Sequence, residues 1–177
     1  FFLYTVEAFF WTIAPLYADE LGTGPRSGMF LSAFMIPPLI LGWFIGRLSR
    51  RFGKIALSFF TLFMGSVSLL LFFLDGSFWF VTSLAFISSF FFSLSFPAIN
   101  SLYSILIEKK VTLEKEIEGL EDFAINLGFV VGPIAAGFAS ELLGVRISFG
   151  FLGLVGSIVA IFLGWVAIKR KKKLLSI

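Results

Sequence analysis

One acidic side chain, Glu7, lies well inside a long apolar run at the start of the chain. Helical spacing places Tyr4 and Trp11 on the same face as Glu7. With a rise of about 1.5 Å per residue, Glu7 lies about 17 Å below the end of the run at Ala18, near the middle of a bilayer. A carboxylate at that depth, between two aromatic rings, could bind a proton or an organic cation. We therefore predict that these three side chains serve substrate binding or coupling; the alternative is a structural hydrogen bond between helices.

A second set of polar residues follows one face of a later apolar run. Asp122 and Asn126 share this face with Phe129 and Pro133 at helical spacing. Asn126 predicts either a substrate contact or a hydrogen bond to another helix. Asp122 is either part of a gate or a solvated carboxylate at a helix N-terminus. Asn100, in the preceding apolar run, is a further candidate for a residue that lines a cavity.

The opposite face of the same run bears small residues. They are Gly128, Gly132, Ala135 and Ala139. Lipid offers helices no hydrophobic reason to associate, so small residues that let backbones approach closely are typical of helix contacts. The spacing therefore predicts that this face packs tightly against another helix.

The composition excludes several kinds of site. The 177 residues include no His and no Cys, which removes a Ser-His pair, a disulfide framework and thiolate metal sites. The sequence also lacks the phosphate-binding pattern G-x-x-x-x-G-K-[ST] and the nucleophile pattern G-x-S-x-G. We therefore expect no metal, no cofactor and no enzymatic activity.

Long apolar runs must position the candidate residues. The chain is 58% hydrophobic and only 14% charged, whereas soluble domains are about 25% charged. A spanning helix needs about 20 apolar residues, and the runs that meet or approach this length are residues 1–18, 28–48, 55–74, 78–107, 123–143 and 147–168. The sequence predicts an all-α integral membrane protein in which residues 1–177 form a single bundle of six transmembrane helices. Residues 108–121 are amphipathic and predict a short helix on the membrane surface.

The distribution of charge predicts the orientation. The connector at residues 46–54 contains Arg50, Arg51 and Lys54 among its cations, and each would cost about 2.5–3.5 kcal/mol at the bilayer centre. If this connector faces the cytoplasm, so do all but Arg26 and Arg146 of the 14 Lys and Arg residues. The positive-inside rule therefore places both termini on the cytoplasmic side of the cell membrane. The cations then anchor the topology, and we expect no nucleic acid partner.

The same connector resembles the signature loop of the major facilitator superfamily of secondary transporters. Its sequence GRLSRRFGK is similar to the family pattern G-x-L-a-D-R-x-G-R-K, which joins the second and third helices. The matching positions are Gly46, Leu48, Arg51, Gly53 and Lys54. Arg50 stands where the family has the Asp that forms a charge latch with a neighbouring helix. The resemblance implies that these residues shape an inner gate.

Residues 128–137 resemble the fifth-helix pattern g-x-x-x-G-P-x-x-G-G of the same family. The matching positions are Gly128, Gly132, Pro133 and Gly137, with Ala136 in place of one Gly. This pattern is best known from proton-coupled antiporters. The resemblance implies that Gly132 and Pro133 shape a helix contact.

Together the two resemblances imply one six-helix half of a transporter, and we expect the C-terminal half because the signature loop is degenerate and the tail is basic. The chain begins inside an apolar run without Met, so we expect a fragment of a longer protein. Family members rock two such halves around a central site. The implied partners are a small-molecule substrate, membrane lipid, the other half and a coupling ion, for which a proton is the candidate.

The implied function is secondary active transport of a small solute by alternating access. Proton-coupled efflux of amphipathic or cationic compounds is the specific hypothesis, based on Glu7 beside aromatic rings and on the antiporter-like pattern. Uptake of a sugar or organic acid is an alternative on the same fold. A membrane scaffold or channel subunit without a transport cycle and an integral-membrane lipid enzyme are alternatives of other classes.

Overall fold

The computed structural model describes residues 1–22, 24–41, 54–109 and 111–175. Within these ranges the chain forms six α-helices and no β-strand, so the all-α prediction is confirmed. The helices are α1 Phe2–Leu21, α2 Pro25–Leu41, α3 Lys54–Leu70, α4 Phe78–Lys109, α5 Glu114–Leu143 and α6 Val145–Leu175. Short 3-10 turns at Leu71–Phe73 and Val111–Leu113 follow α3 and precede α5.

Four of the described helices contain segments that are long and apolar enough to cross a membrane. These segments are Ala56–Phe73, Phe78–Pro97, Glu114–Leu143 and Val145–Ala167. Helices α1 and α2, as far as they are described, do not meet the same test of length and composition. The prediction of an integral membrane bundle therefore has direct support from four spans, and not from all six apolar runs.

The last two helices are longer than their apolar runs. Helix α5 begins at Glu114 and not near residue 123, and α6 continues to Leu175, beyond residue 168. The first turn of α5 contains Glu114 and Glu116, where the partial positive charge of a helix N-terminus favours carboxylates. The expected separate surface helix at residues 108–121 is therefore replaced by the end of α4, a 3-10 turn and the first turns of α5.

Gly144 sets the sharp connection between α5 and α6. Its φ of 81° lies in the left-handed region that a residue with a Cβ atom rarely adopts. In this conformation its backbone N–H donates to the Ser140 carbonyl at 3.0 Å and closes α5. Helix α6 begins at the next residue, Val145, so the two helices form a tight hairpin.

The helices pack around an aromatic core. Helix α3 makes extensive contacts with both α4 and α6, α1 packs against α5, and α2 packs against α4. Phe10, Phe30, Phe72 and Phe149 are fully buried. Phe10 lies at the centre of this cluster, since its ring contacts those of Phe30 and Phe149 and stacks on Phe34 at 3.6 Å between centroids. Many of the chain's phenylalanines therefore serve as core packing.

Helices α3 and α6 run antiparallel. Gly150, near the start of α6, lies against Phe73 after the end of α3, whereas Gly164 lies near Phe59 close to its start. Lys54 at the start of α3 and the basic end of α6 therefore lie at the same end of the bundle. This is the arrangement that the charge distribution requires.

Candidate functional site

A cavity of about 310 Å³ lies between α1, α2 and α4 and contains Glu7. Its lining is mostly apolar. The lining residues are Leu3, Tyr4, Val6 and Glu7 from α1, Phe34 and Pro38 from α2, and Ser89, Phe92, Ser93, Phe96 and Pro97 from α4. The acid predicted from sequence thus faces the interior of the bundle and not its outer surface.

The Glu7 carboxylate differs from the other polar groups of the cavity. Ser89 Oγ donates to the Phe34 carbonyl at 2.5 Å, and Ser93 Oγ donates to the Ser89 carbonyl at 2.7 Å. No side chain among the described residues donates a hydrogen bond to Glu7 or forms an ion pair with it. Within the described part of the chain, the cavity therefore presents one carboxylate without a partner in a mostly apolar wall, a group able to accept a proton or to pair with a cation.

Tyr4 lies beside Glu7 and connects the cavity with two other helices. Its hydroxyl lies near the side chain of Asn100 on α4. Its ring packs edge-on against Phe96 at 5.2 Å between centroids and tilted against Phe129 of α5 at 5.9 Å. The structure therefore brings together three residues that sequence analysis proposed separately, namely Tyr4, Glu7 and Asn100.

Trp11 is placed differently from the expectation. It does not line the cavity. Its ring packs edge-on against Phe34 and Phe10, with centroids 5.8 Å away in each case. Trp11 therefore supports the wall of the cavity through Phe34 and does not itself line the space beside Glu7.

The polar residues of α5 lie outside the cavity. Asp122 and Asn126 are exposed, and Asn126 Nδ2 donates within its own helix to the Asp122 backbone carbonyl at 2.8 Å. Phe129, on the same face, contacts Tyr4. The polar face of α5 therefore borders the Tyr4 end of α1 without entering the pocket around Glu7.

The small face of α5 lies directly on α1. A Cβ atom added at Gly132 would be 2.7 Å from Ala8 Cβ and 2.8 Å from the Thr5 carbonyl oxygen, and one added at Gly128 would be 2.7 Å from Tyr4 Cβ. Both are closer than real Cβ contacts, so no larger side chain fits. Pro133 lies next to this contact inside α5, whereas a Cβ at Gly137 would meet open space.

The signature-loop residues lie mostly outside the described residues. This applies to Gly46, Arg50, Arg51 and Gly53. Lys54 is described as the first residue of α3. The gating role implied for this loop stays a prediction.

Sequence analysis missed a second glycine contact, between α6 and α3. A Cβ at Gly153 would be 2.4 Å from the Leu70 nitrogen and 2.5 Å from the Ser66 carbonyl oxygen, and one at Gly156 would be 2.4 Å from Ser66 Oγ. The signal was present, since Gly150, Gly153 and Gly156 recur every three residues. The rule that small residues mark helix contacts identified the face of α5 but was not applied to these glycines.

Sequence analysis also missed a salt bridge at the end of the bundle opposite Lys54. Arg146, at the start of α6, forms a salt bridge with Asp75, which follows the 3-10 turn after α3. The same guanidinium donates to the Leu74 carbonyl at 3.2 Å. The two partners are far apart in sequence, so no local pattern indicates the contact.

Comparison with known proteins identifies relatives that match most of this chain. The quinolone resistance protein NorA of Staphylococcus aureus is 28% identical over 162 residues, which cover 91% of this chain and 41% of NorA. The uncharacterized MFS-type transporter MJ1560 of Methanocaldococcus jannaschii is 29% identical over 154 residues, 84% of this chain and 38% of the relative. The chain thus spans about two fifths of the length of these curated relatives.

The family assignment covers nearly the whole chain. Residues 1–176 match the Major Facilitator Superfamily. This agrees with the helical bundle, its apolar spans and both sequence motifs. The chain belongs to the Major Facilitator Superfamily.

Proposed function

We propose that this chain forms one six-helix half, the C-terminal one, of a secondary active transporter that exports amphipathic or cationic compounds in exchange for protons. The observation that carries the proposal is the carboxylate of Glu7, which has no partner among the described residues and lies in a mostly apolar cavity. A charged carboxylate without a partner is costly in the membrane interior. Glu7 would therefore alternate between a bound proton and a bound substrate cation.

The form of the cavity supports an amphipathic substrate. Apolar and aromatic side chains make up most of its wall, and the polar groups converge near Tyr4, Glu7 and Asn100. Ligand sites commonly combine an apolar lining with a few placed polar groups. A sugar would need more hydrogen-bonding groups than the serines provide, since their hydroxyls already donate to backbone carbonyls. The relative NorA is named for resistance to quinolones, which are aromatic compounds with ionisable groups, and resistance by export suits such a cavity.

The surface of α5 supports a second half as partner. Only 17% of its apolar span is buried, compared with 50% in the spans of α3 and α4. Its exposed face contains both an apolar side chain, Phe129 at 47% exposure, and the polar pair Asp122 and Asn126. A mixed face of this kind suits the wall of a central passage between two halves. We place both termini on the cytoplasmic side of the cell membrane, as the cations favour.

The test compares Glu7→Gln with Glu141→Gln in everted vesicles that contain the full transporter. Glu141 is an exposed acid near the end of α5, so its substitution makes the same chemical change outside the cavity. A proton gradient should drive uptake of a fluorescent amphipathic cation by the wild type and by Glu141→Gln. Glu7→Gln should lose at least ten-fold in rate, because its amide neither binds a proton nor pairs with a cation.

Two results would count against the proposal. Equal rates for wild type and Glu7→Gln would remove Glu7 from coupling and leave a role in structure only. No gradient-driven movement by the correctly inserted wild type would favour a scaffold or channel subunit.

A further inference from the structure

Two adjacent prolines, Pro37 and Pro38, lie inside helix α2. Proline has no backbone N–H, so the carbonyl four residues earlier in a helix loses its usual donor. Pro38 leaves the Phe34 carbonyl in this position. A membrane interior has no water to satisfy such a group, so another part of the protein must do so. Phe34 and Pro38 both line the cavity that contains Glu7, so this interruption of α2 lies in the wall of the candidate site.

Ser89 of α4 provides the missing donor. Its Oγ donates to the Phe34 carbonyl at 2.5 Å, and its side chain is buried with 1% exposure. Other serines, such as Ser66 and Ser93, donate to the carbonyl four residues earlier in their own helices. The Ser89 hydroxyl therefore replaces, across the contact between α2 and α4, the backbone N–H that Pro38 lacks.

Ser95 gives a comparison on the same helix. Its Oγ also donates to a different helix, to the Ser58 carbonyl of α3 at 3.0 Å, and its side chain is fully buried. Four residues after Ser58 stands Leu62, which has the backbone N–H that the helical pattern requires. Ser89 and Ser95 thus form the same kind of bond between helices, but the acceptor of Ser89 is the one that follows from a proline.

Phe34 connects this bond to the space beside Glu7. Its ring lines the cavity, stacks on Phe10 at 3.6 Å between centroids and packs edge-on against Trp11. The next side chains after Pro38 in α2 make little contact, since Leu39 is 76% exposed. The bond from Ser89 therefore holds α2 against α4 at the level of the cavity, where Phe34 forms part of the wall.

We propose that Ser89 is a positioning residue for the substrate site around Glu7. Its hydroxyl satisfies the carbonyl that Pro38 leaves without a donor, and it thereby fixes Phe34 and the proline segment of α2 in the wall of the cavity. The substrate in this statement rests on the proposed function, whereas the replacement of one hydrogen-bond donor by another does not depend on transport.

The first test is a set of melting temperatures for the full transporter in detergent. Ser89→Ala should lower the melting temperature by at least about 2 °C, because it leaves a buried carbonyl without a donor. Ser95→Ala should lower it less, since the Ser58 carbonyl keeps the N–H of its own helix. Pro38→Ala added to Ser89→Ala should recover most of the loss, because an alanine supplies the missing N–H.

Two controls separate this recovery from a general effect of removing a proline. Pro38→Ala in the wild-type background gives the effect of that change while Ser89 still donates. Pro15→Ala added to Ser89→Ala removes an exposed proline inside α1, and it should recover nothing. The recovery should thus be specific to the pair of Ser89 and Pro38, as expected for two residues that share one acceptor.

The second test measures transport in the everted vesicles used for Glu7. Ser89→Ala should raise the KM for the amphipathic cation about five-fold, because the wall of the cavity is no longer fixed. Its kcat should change by less than about two-fold, since Glu7 still binds the proton. Ser89→Ala with Pro38→Ala should regain the melting temperature but not the KM, because α2 is then satisfied within itself and is not held to α4. Ser95→Ala should keep the wild-type KM.

An unchanged KM in Ser89→Ala overturns the positioning role. Equal losses of melting temperature in Ser89→Ala and Ser95→Ala, or no recovery with Pro38→Ala, overturn the replacement of the donor. If the wild type shows no gradient-driven uptake, the proposed function fails and the positioning role fails with it, whereas the melting temperatures still decide whether Ser89 replaces the donor of Pro38.

Discussion

Polar side chains in these helices mostly bond to their own backbone. Thr12, Ser66 and Ser157 donate to the carbonyls four residues earlier at 2.7–2.8 Å. Since lipid offers no water to satisfy such groups, this local bond is the usual solution. Ser89 instead donates to the Phe34 carbonyl of another helix. Glu7 and the buried hydroxyl of Thr82 have no hydrogen-bond partner among the described residues. Each lines a concave surface, and Glu7 is where we expect a substrate.

At the residue scale, a substitution at Gly132 tests the packing between α5 and α1 directly. We expect Gly132→Ala to lower the free energy of unfolding by about 1–3 kcal/mol, because the new methyl group would overlap Ala8 and the Thr5 backbone. Thermal unfolding in detergent, followed by circular dichroism, measures the change. Gly137→Ala is the control, since its added methyl group meets no other atom, and an equal loss in both variants would contradict the packing argument.

At the scale of elements, the apolar runs predicted where helices occur but not where they end. A hydropathy pattern marks the part of a helix that suits lipid, whereas the helix itself continues as long as its backbone hydrogen bonds do. Helix α5 therefore extends back to Glu114 through a charged segment that contains neither Pro nor a left-handed Gly. Only at Gly144 does the backbone leave the helical region.

The partners of the helices were harder to predict than the helices. The glycines of α5 indicated a contact face, but nothing in their spacing indicates α1 as the neighbour. The cavity around Glu7 likewise depends on which faces of α2 and α4 turn inward, and this follows from the tertiary packing. Trp11 shows the limit of predicting contacts from helical spacing, because it shares a helical face with Glu7 yet packs against Phe34.

Arg146 offers a test of how the elements are joined at the outer end. Asp75→Asn should leave stability nearly unchanged, because Asp75 is 96% exposed and exposed ion pairs contribute little. Arg146→Gln should cost more, since it also removes the bond to the Leu74 carbonyl. Melting temperatures of the two variants at low and high salt compare these contributions. A larger loss for Asp75→Asn than for Arg146→Gln would contradict this assignment.

At the scale of the whole molecule, the direction of each helix fixes what each side of the membrane contains. The antiparallel pairing of α3 and α6 places Lys54 and the lysines of the tail at one end. Arg146 and Asp75 lie at the other end with the short connection between α5 and α6.

The absence of cysteine from the sequence makes this orientation simple to measure. A cysteine introduced at Ser77 should react with a membrane-impermeant maleimide added to intact cells, because Ser77 is exposed in the connection before α4. A cysteine at Thr112, exposed between α4 and α5, should react only after the membrane is permeabilised. The reverse pattern would invert the proposed topology.

The contact between Ala8 and Gly132 also has a consequence for biogenesis. The ribosome completes α1 long before it has made α5, so the face of α1 around Thr5 and Ala8 has no permanent neighbour while the intervening helices are synthesised. During that interval lipid, or the insertion machinery, must shield this face and the Glu7 carboxylate nearby. The nascent chain therefore cannot form the contact between α1 and α5 until both helices have been made.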